Sequence, residues 1–363
     1  MKKIAVYDPY LDVLGGGEKH ILSIVQVFEQ CGYTIDLFWD DAKILEHLAK
    51  QLHITFQKVH IIPSFTSFSF IRKLMKTKEY EYFFYVTDGS YFFSLARHNY
   101  IFSMYPQQSL YRSSFLNRLK WTQWNFIANS LYTQSYIEKW TGKKSEVIYP
   151  YLDILPFEKV QSYKKDKIIL TVGRFFKHLH AKRQDILIKA FKQLQQKDKS
   201  FKDFRLYLIG GLKEEDKYYF KELVSLAEGN PNIIFIPNAP QEVVTEYYRK
   251  ALFYWHAAGY GVDESIHPEA VEHLGITPLE AMVEGCVVFC HASGGPKNII
   301  SDGVNGFLYD TIKELIDKTA RIYTEASGIE AIRYQAYTYI KSQFAYNVFK
   351  KKMFSYFKLP KHL

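Results

Sequence analysis

Apolar runs of strand length alternate with amphipathic stretches along the whole chain. Residues 2–7 predict a first strand, Ile21-Leu-Ser-Ile-Val-Gln-Val-Phe28 a helix, and Thr34-Ile-Asp-Leu-Phe-Trp39 a second strand. Leu14-Gly-Gly-Gly-Glu-Lys-His20 and Gly32 punctuate them. Strand, glycine loop, helix and strand make a βαβ unit, which predicts a parallel sheet. Further strands are expected near 82–86, 100–102 and 124–129. The pattern restarts after a linker at Tyr149-Pro-Tyr151, with strands at 168–172, 206–209, 233–236, 252–255 and 287–290 and an amphipathic helix at 182–194. From Ala320 onward the pattern is helical. Two doubly wound α/β domains in series are expected, with ligands at the carboxyl ends of the strands, in a cleft between the domains.

The length of 363 residues suits two such domains better than one core. With 29 Tyr and 28 Phe, some rings are expected on a surface that touches a ligand. Cys31, Cys286 and Cys290 are too few for a disulfide framework. Cys286 and Cys290 lie in the apolar run Gly285-Cys-Val-Val-Phe-Cys-His291, which predicts two core thiols in a buried strand rather than a metal pair. A reducing cytoplasm fits. Asp8 and Pro9 interrupt the opening apolar run too early for a signal peptide, and no stretch is long and apolar enough to span a bilayer. A soluble protein, or one lying on a membrane surface, is expected.

The formal charge of +9 admits nucleic acid, anionic lipid or phosphorylated small molecules as partners. No recognised nucleic-acid module accompanies the charge, so nucleic acid is set aside. Residues 64–78 carry four basic and no acidic side chains among many large apolar ones. That pattern predicts an interfacial segment on an anionic membrane, or an ordinary helix with a solvated basic face.

The densest chemical signal is His267-Pro-Glu-Ala-Val-Glu-His-Leu-Gly-Ile-Thr-Pro-Leu-Glu-Ala-Met282. Thr277 as N-cap, Pro278 at the first helical position and Glu280 three residues after Thr277 spell a capping box. One reading of Glu280 is therefore a capping carboxylate. The same geometry leaves free N–H groups and a positive dipole end beside Gly275 and Ile276, where a diphosphate would dock. Spacing alone leaves both open.

Glu272 and Glu280 are separated by seven residues, and Glu272-His-Leu-Gly-Ile-Thr-Pro-Leu-Glu280 resembles the E-x7-E motif of the family 4, or group 1, retaining glycosyltransferases. The resemblance continues through Ala281-Met-Val-Glu-Gly285, Gly294-Gly-Pro-Lys297 and Asp302-Gly-Val-Asn-Gly-Phe-Leu308. Its wording is similar to the mannosyltransferases that extend lipid-linked oligosaccharides. Trp255-His-Ala-Ala-Gly-Tyr-Gly261 and His267-Pro-Glu269 resemble a bacterial branch.

The resemblance implies a GT-B-like architecture, with two Rossmann-like domains facing across a cleft. An acceptor-side domain would span 1–150, joined by a returning C-terminal helix at 343–363, and a nucleotide-sugar-binding domain would span 151–342. It also implies retention of anomeric configuration and no metal or other cofactor. The donor would be a nucleotide-diphosphate sugar and the acceptor a glycan or lipid-linked glycan at the inner face of the cell membrane.

Position by position, Glu280 would hold the donor ribose hydroxyls and Glu272 would contact the transferred sugar. Gly275, Ile276 and Thr277 would offer backbone N–H groups. In Val172-Gly-Arg-Phe-Phe-Lys-His-Leu-His-Ala-Lys-Arg-Gln-Asp185 the family's Arg and Lys map to Arg174 and Lys182, with Arg183 a weaker stand-in. Fixed cations stabilise charge that develops on a departing nucleoside diphosphate, although cations at strand ends also read as solvated surface. Gly16 and Gly17 match a family loop near the donor phosphates and acceptor. A tight turn serves as well, since the dinucleotide fingerprint lacks its third glycine. The base would be read largely by backbone near 236–239, which includes Asn238. Asp88, at a strand end, is a candidate to face the acceptor or to make a turn.

One departure stands out in Tyr100-Ile-Phe-Ser-Met-Tyr-Pro106, where Met104 occupies a position at which relatives often carry His. Met cannot make that hydrogen bond. Either the donor lacks a demanding 6-hydroxyl contact, as a 6-deoxy sugar would, or Met104 is a core residue. A nicotinamide dehydrogenase is disfavoured by the missing fingerprint. A sugar-nucleotide epimerase of the same fold and a non-catalytic nucleotide-binding subunit remain as alternatives. His256, His267, His273 and His291 cluster in sequence without metal-ligand spacing, and His256, at a strand end, reads as structural.

Overall fold

The structure is a computed structural model that describes residues 2–178 and 181–360. Its first elements are β1 (Lys3–Tyr7), α1 (Gly16–Gln30), β2 (Thr34–Phe38), α2 (Ile44–His47), β3 (Val59–Ile62), α3 (Phe70–Thr77), β4 (Tyr82–Val86), β5 (His98–Ser103), α4 (Phe115–Trp121), β6 (Asn125–Ala128), α5 (Leu131–Thr141) and β7 (Ser145–Val147). Then come α6 (Phe157–Gln161), β8 (Asp166–Val172), α7 (Gln184–Lys197), β9 (Arg205–Gly210), α8 (Lys217–Ala227), β10 (Ile233–Pro237), α9 (Gln241–Lys250) and β11 (Ala251–His256). The chain ends with α10 (Ile276–Val283), β12 (Val287–His291), α11 (Pro296–Ile299), β13 (Phe307–Tyr309), α12 (Ile312–Tyr323), α13 (Ala326–Phe344) and α14 (Tyr346–Tyr356).

Two compact units result: Met1–Tyr151 with Tyr346–Leu363, and Leu152–Ala345. Residues 343–345 therefore group with the second unit, because α13 runs unbroken to Phe344. The last three positions of the helix expected at 343–363 lie outside the described residues.

In the first unit the strand order is β3-β2-β1-β4-β5-β6-β7, with every pairing parallel. Successive side chains of a strand face opposite ways. Ile4, Val6, Phe84 and Val86 thus join one core with α1 and α14, while Ala5, Tyr7, Phe83 and Tyr85 join a second, aromatic one. This two-sided burial explains why β4 reads as a continuous apolar run. Phe349, Met353 and Phe357 lock α14 onto the first core, and the Tyr82 hydroxyl donates to the Phe357 carbonyl at 3.0 Å.

The second unit repeats the design with strand order β10-β9-β8-β11-β12-β13, again parallel throughout. One face is covered by α7, α8, α12 and α13, which pack on Ile169, Leu206, Leu208, Phe253, Trp255, Val287 and Phe289. Periodicity did not reveal β3, β7 and β13, which are edge strands of three or four residues with too little apolar pattern to register. The starts of α1 and α7 differ from expectation. α1 begins at Gly16, because the glycine loop itself forms the first turn. α7 begins at Gln184, so Lys182 lies on the loop before it.

Candidate functional site

The cations of the second unit lie on the loop that follows β8. Glycine is required here because two strand-end loops cross almost in contact: a Cβ on Gly210 would lie 1.9 Å from the Gly173 carbonyl oxygen. Buried Gln184 donates its amide to the Gly173 and Arg174 carbonyls at 3.3 and 3.0 Å, which pins the loop from its other side. Arg174 leaves this support exposed, its guanidinium 4.6 Å from the centre of the Phe176 ring. The Lys182 stem passes Gly173, where a Cβ would come within 2.6 Å of its Cγ. Its Nζ reaches Glu272 Oε2 at 2.5 Å. Arg183, the weaker stand-in for Lys182, is engaged elsewhere: its guanidinium is held by Asp185 at 3.0 and 3.1 Å and by the Tyr260 carbonyl.

Glu272 is seated by main chain rather than by its neighbours in sequence. Gly295 N donates to the Glu272 carbonyl at 2.7 Å. A Cβ on Gly294 would meet that carbonyl oxygen at 2.1 Å, and one on Gly295 would meet the His273 carbonyl oxygen at 2.4 Å. The Ser293-Gly-Gly-Pro296 turn therefore packs backbone on backbone. Glu264 ties the turn down, accepting from Gly294 N at 2.7 Å and pairing with Lys297.

The carboxylate of Glu272 has two partners at one oxygen, Lys182 and His256 Nε2, the latter at 3.2 Å. Burial works to raise its pKa, but Lys182 and the His256 hydrogen bond outweigh that and hold it well below the usual carboxylate range. Burial also keeps the His256 imidazole below its ordinary value, although Glu272 pulls it upward.

The helix that starts here is not capped as expected. Gly275, at φ 95°, is the N-cap of α10, no side chain caps it, and Thr277 lies inside the first turn. The capping-box reading of Thr277 and Glu280 is thus overturned: the left-handed N-cap, which favours glycine, starts the helix two residues early. Glu280 instead accepts from the Tyr248 hydroxyl at 3.0 Å. A Cβ on Gly275 would meet Glu272 Cγ at 3.6 Å, so Glu272 lies against the start of α10. Gly275, Ile276 and Thr277 are brought together with Glu272 and Lys182. Asn238 follows β10 with φ 54°, and its side-chain amide is spent on both backbone groups of Leu212, at 2.8 and 3.1 Å.

In the first unit, Gly16 and Gly17 open α1. A Cβ on Gly17 would lie 2.2 Å from Met104 Sδ, so the two are packed together, with Met104 half-buried against the core of α1. Asp88 Oδ1 accepts from the Tyr85 hydroxyl and from Ser90 N at 2.8 Å, which is the bonding of a turn residue. Beside the glycines, Glu18 accepts from Gly15 N at 2.7 Å. Asp8, fully buried after β1, keeps Oδ2 without a hydrogen-bond partner among the described residues, and burial beside Glu18 raises its pKa to about 8.

The sequence marks Asp8 only as a break in the first apolar run, and it does not mark Gln184 or Tyr248 at all. Each matters through a contact that the fold creates, not through a motif.

Comparison with known proteins places the family and the fold. Residues 156–339, half of the chain, match the family model for glycosyl transferases group 1. The mouse GDP-Man:Man(3)GlcNAc(2)-PP-Dol alpha-1,2-mannosyltransferase is 27% identical over 212 residues, which cover 54% of this chain and 40% of that protein. The alpha-1,3/1,6-mannosyltransferase alg-2 of Neurospora crassa is 26% identical over 240 residues, or 52% and 47% of the two chains. The match thus spans less than half the length of either relative. A glycosyltransferase from Rickettsia africae superposes with a TM-score of 0.72 at 15% identity, covering 98% of both chains. Anabaena HepE in complex with UDP superposes with a TM-score of 0.71 at 18% identity, covering 99% of this chain and 100% of that one. The fold is GT-B, and the chain belongs to the group 1 glycosyl transferases.

Proposed function

We propose that this chain moves a sugar from a nucleoside-diphosphate sugar, held by its second unit, to a glycan or lipid-linked acceptor taken by its first. One observation carries the reading: Lys182 and Glu272 meet at 2.5 Å beside the start of α10, each only 15% exposed. A half-buried ammonium supplies counter-charge where a diphosphate would leave. The carboxylate supplies an acceptor for sugar hydroxyls. Such preorganised groups act most strongly on charge that develops in the transition state.

Arg174 adds a second cation, so two side-chain charges take the part that a metal ion plays elsewhere. Glu280, oriented by Tyr248, accepts from the ribose. The sugar's configuration is retained. Met104 offers a thioether where relatives often carry His, which favours a donor needing no hydrogen bond at its 6-position. The mouse mannosyltransferase relative, whose name includes Man(3)GlcNAc(2)-PP-Dol, supports a lipid-linked glycan as acceptor here.

The reading extends to a membrane surface. No helix among the described residues is long and apolar enough to cross a membrane. On α3, however, Phe70, Ile71 and Met75 are exposed beside Arg72, and Ile71 is 72% exposed. Phe115, Leu116 and Leu119 are exposed on α4 beside Arg118. Leu95, also exposed, is bonded through its N–H to Thr77 at the end of α3. Apolar tips among basic residues suit the cytoplasmic face of an anionic bilayer. Salt-sensitive sedimentation with anionic vesicles is expected, and its absence at low salt removes this extension.

The donor is tested by thermal shift with UDP, GDP, dTDP and ADP, with and without magnesium, on the wild type and Glu280→Ala. Ligand that binds the folded state raises its melting temperature by mass action. One nucleotide is expected to shift the wild type without magnesium and to lose its effect in the variant. No shift with any of the four overturns the proposal.

A further inference from the structure

His256 has no part in the transfer as described, yet it is built into the site. It ends β11, in register with Cys290 of β12, and its carbonyl accepts from the Tyr309 hydroxyl at 2.9 Å. Its ring is 2% exposed. Nε2 lies 3.2 Å from Glu272 Oε2, the same oxygen that Lys182 contacts. A carboxylate only accepts, so Nε2 carries the proton. Nδ1 is then a bare acceptor, buried and with no hydrogen-bond partner among the described residues. The charged groups that act on the ring are Glu272 and Lys182, on the loops after β11 and β8; on the neighbouring β12, Cys290 is in register with His256, and His291 lies within its electrostatic reach.

In the free protein the Glu272 charge is balanced by Lys182. A diphosphate competes for that ammonium with more negative charge than the carboxylate has. As Lys182 turns toward it, Glu272 is left with the imidazole as its hydrogen-bond donor. Losing a nearby cation and unmasking a carboxylate act in the same direction, toward a protonated ring. The neutral state follows from burial, the charged state from the lost pairing.

We propose that His256 is a positioning residue of the donor site: it holds Glu272 in place through Nε2–H and takes up a proton at Nδ1 when a nucleoside diphosphate draws Lys182 away. This rests on the reading of Lys182 as a diphosphate ligand. The linkage has a definite sign. A complex that binds more protons than the free protein forms less readily as pH rises. Ionisation of the nucleotide's own phosphate opposes this and is common to all variants, so the difference between proteins isolates His256.

The experiment is calorimetric titration of UDP, GDP, dTDP and ADP into the whole chain near pH 7, in two buffers of different ionisation enthalpy. Gln places an amide donor near the Nε2 position but does not titrate. Wild type is expected to take up a fraction of a proton per nucleotide beyond His256→Gln. Its affinity relative to that variant should fall as pH rises. With turnover assayed, His256→Gln should flatten the pH profile of kcat, whatever its absolute value. Equal proton counts in the two proteins overturn the proposal. If His256→Gln does not fold, Glu272→Gln decides, since it removes the charge that drives uptake: uptake should vanish, and persistence overturns the idea. Binding without uptake defeats this inference alone, whereas no binding by any of the four nucleotides defeats the donor-site reading and this inference with it.

Discussion

Gly295→Ala tests whether main-chain packing seats Glu272. Gly295 has φ −58° and ψ −40°, a conformation any residue adopts, so alanine brings no backbone strain. By restricting the unfolded chain it would stabilise by about 0.4–1 kcal/mol if space allowed. Space does not allow it. The new Cβ would lie 2.4, 2.6 and 2.7 Å from the His273 oxygen, the His273 carbonyl carbon and Leu274 Cα. All three are backbone atoms that cannot swing aside.

Overpacking of this kind costs about 1–3 kcal/mol, and rigid neighbours place it near the top of that range. After the unfolded-chain term, a net loss of about 2 kcal/mol remains. At roughly 2–4 °C per kcal/mol for a domain of this size, the melting temperature falls by about 4–8 °C. Gly211→Ala is the control, because the nearest atom to its Cβ is Arg174 Cγ at an ordinary 3.6 Å. Differential scanning calorimetry reads both. Since Gly295 N also holds the Glu272 carbonyl at 2.7 Å, any relaxation moves that residue. A displacement of a few tenths of an ångström is expected to lower kcat/KM by about tenfold or more. Equal melting temperatures for Gly295→Ala and Gly211→Ala would refute the reasoning.

Three further outcomes follow from the same geometry. Lys182→Ala should lower kcat by about 100-fold or more while the chain stays folded, as loss of one charge-stabilising group does; unchanged turnover in a steady-state assay contradicts its role. Tyr248→Phe removes one hydrogen bond to Glu280 and should weaken nucleotide binding by roughly fivefold, about 1 kcal/mol, which titration calorimetry resolves. Asp8, raised from 3.8 to about 8 by burial and Glu18, holds its proton in the folded state where the unfolded chain has released it. Wild-type stability relative to Asp8→Asn should therefore be greatest below the unfolded pKa and fall, with the slope of a single proton, as pH rises toward 8; denaturant melts that show no such pH-dependent difference count against a neutral buried Asp8.

Sequence alone determined a good deal here. Alternating apolar runs specify two parallel α/β units, because strands buried on both faces must be apolar throughout and the helices between them must carry one apolar face. The order of motifs around Glu272 and Glu280 also marks the family, since their spacing is local. What those residues touch was decided by tertiary structure. Lys182 and Glu272 are 90 residues apart in the chain, and Tyr248 and Glu280 are 32 apart. No periodicity links such pairs; strand order does. The capping box at Thr277 failed for a related reason: Gly275 takes a left-handed conformation against Glu272 and starts α10 early, a choice made by its surroundings and not by the local code. The Gly294–Gly295 pair carries the same lesson, for its glycines are needed by a backbone crossing with Glu272 and His273 that exists only once the sheet has brought the two loops together.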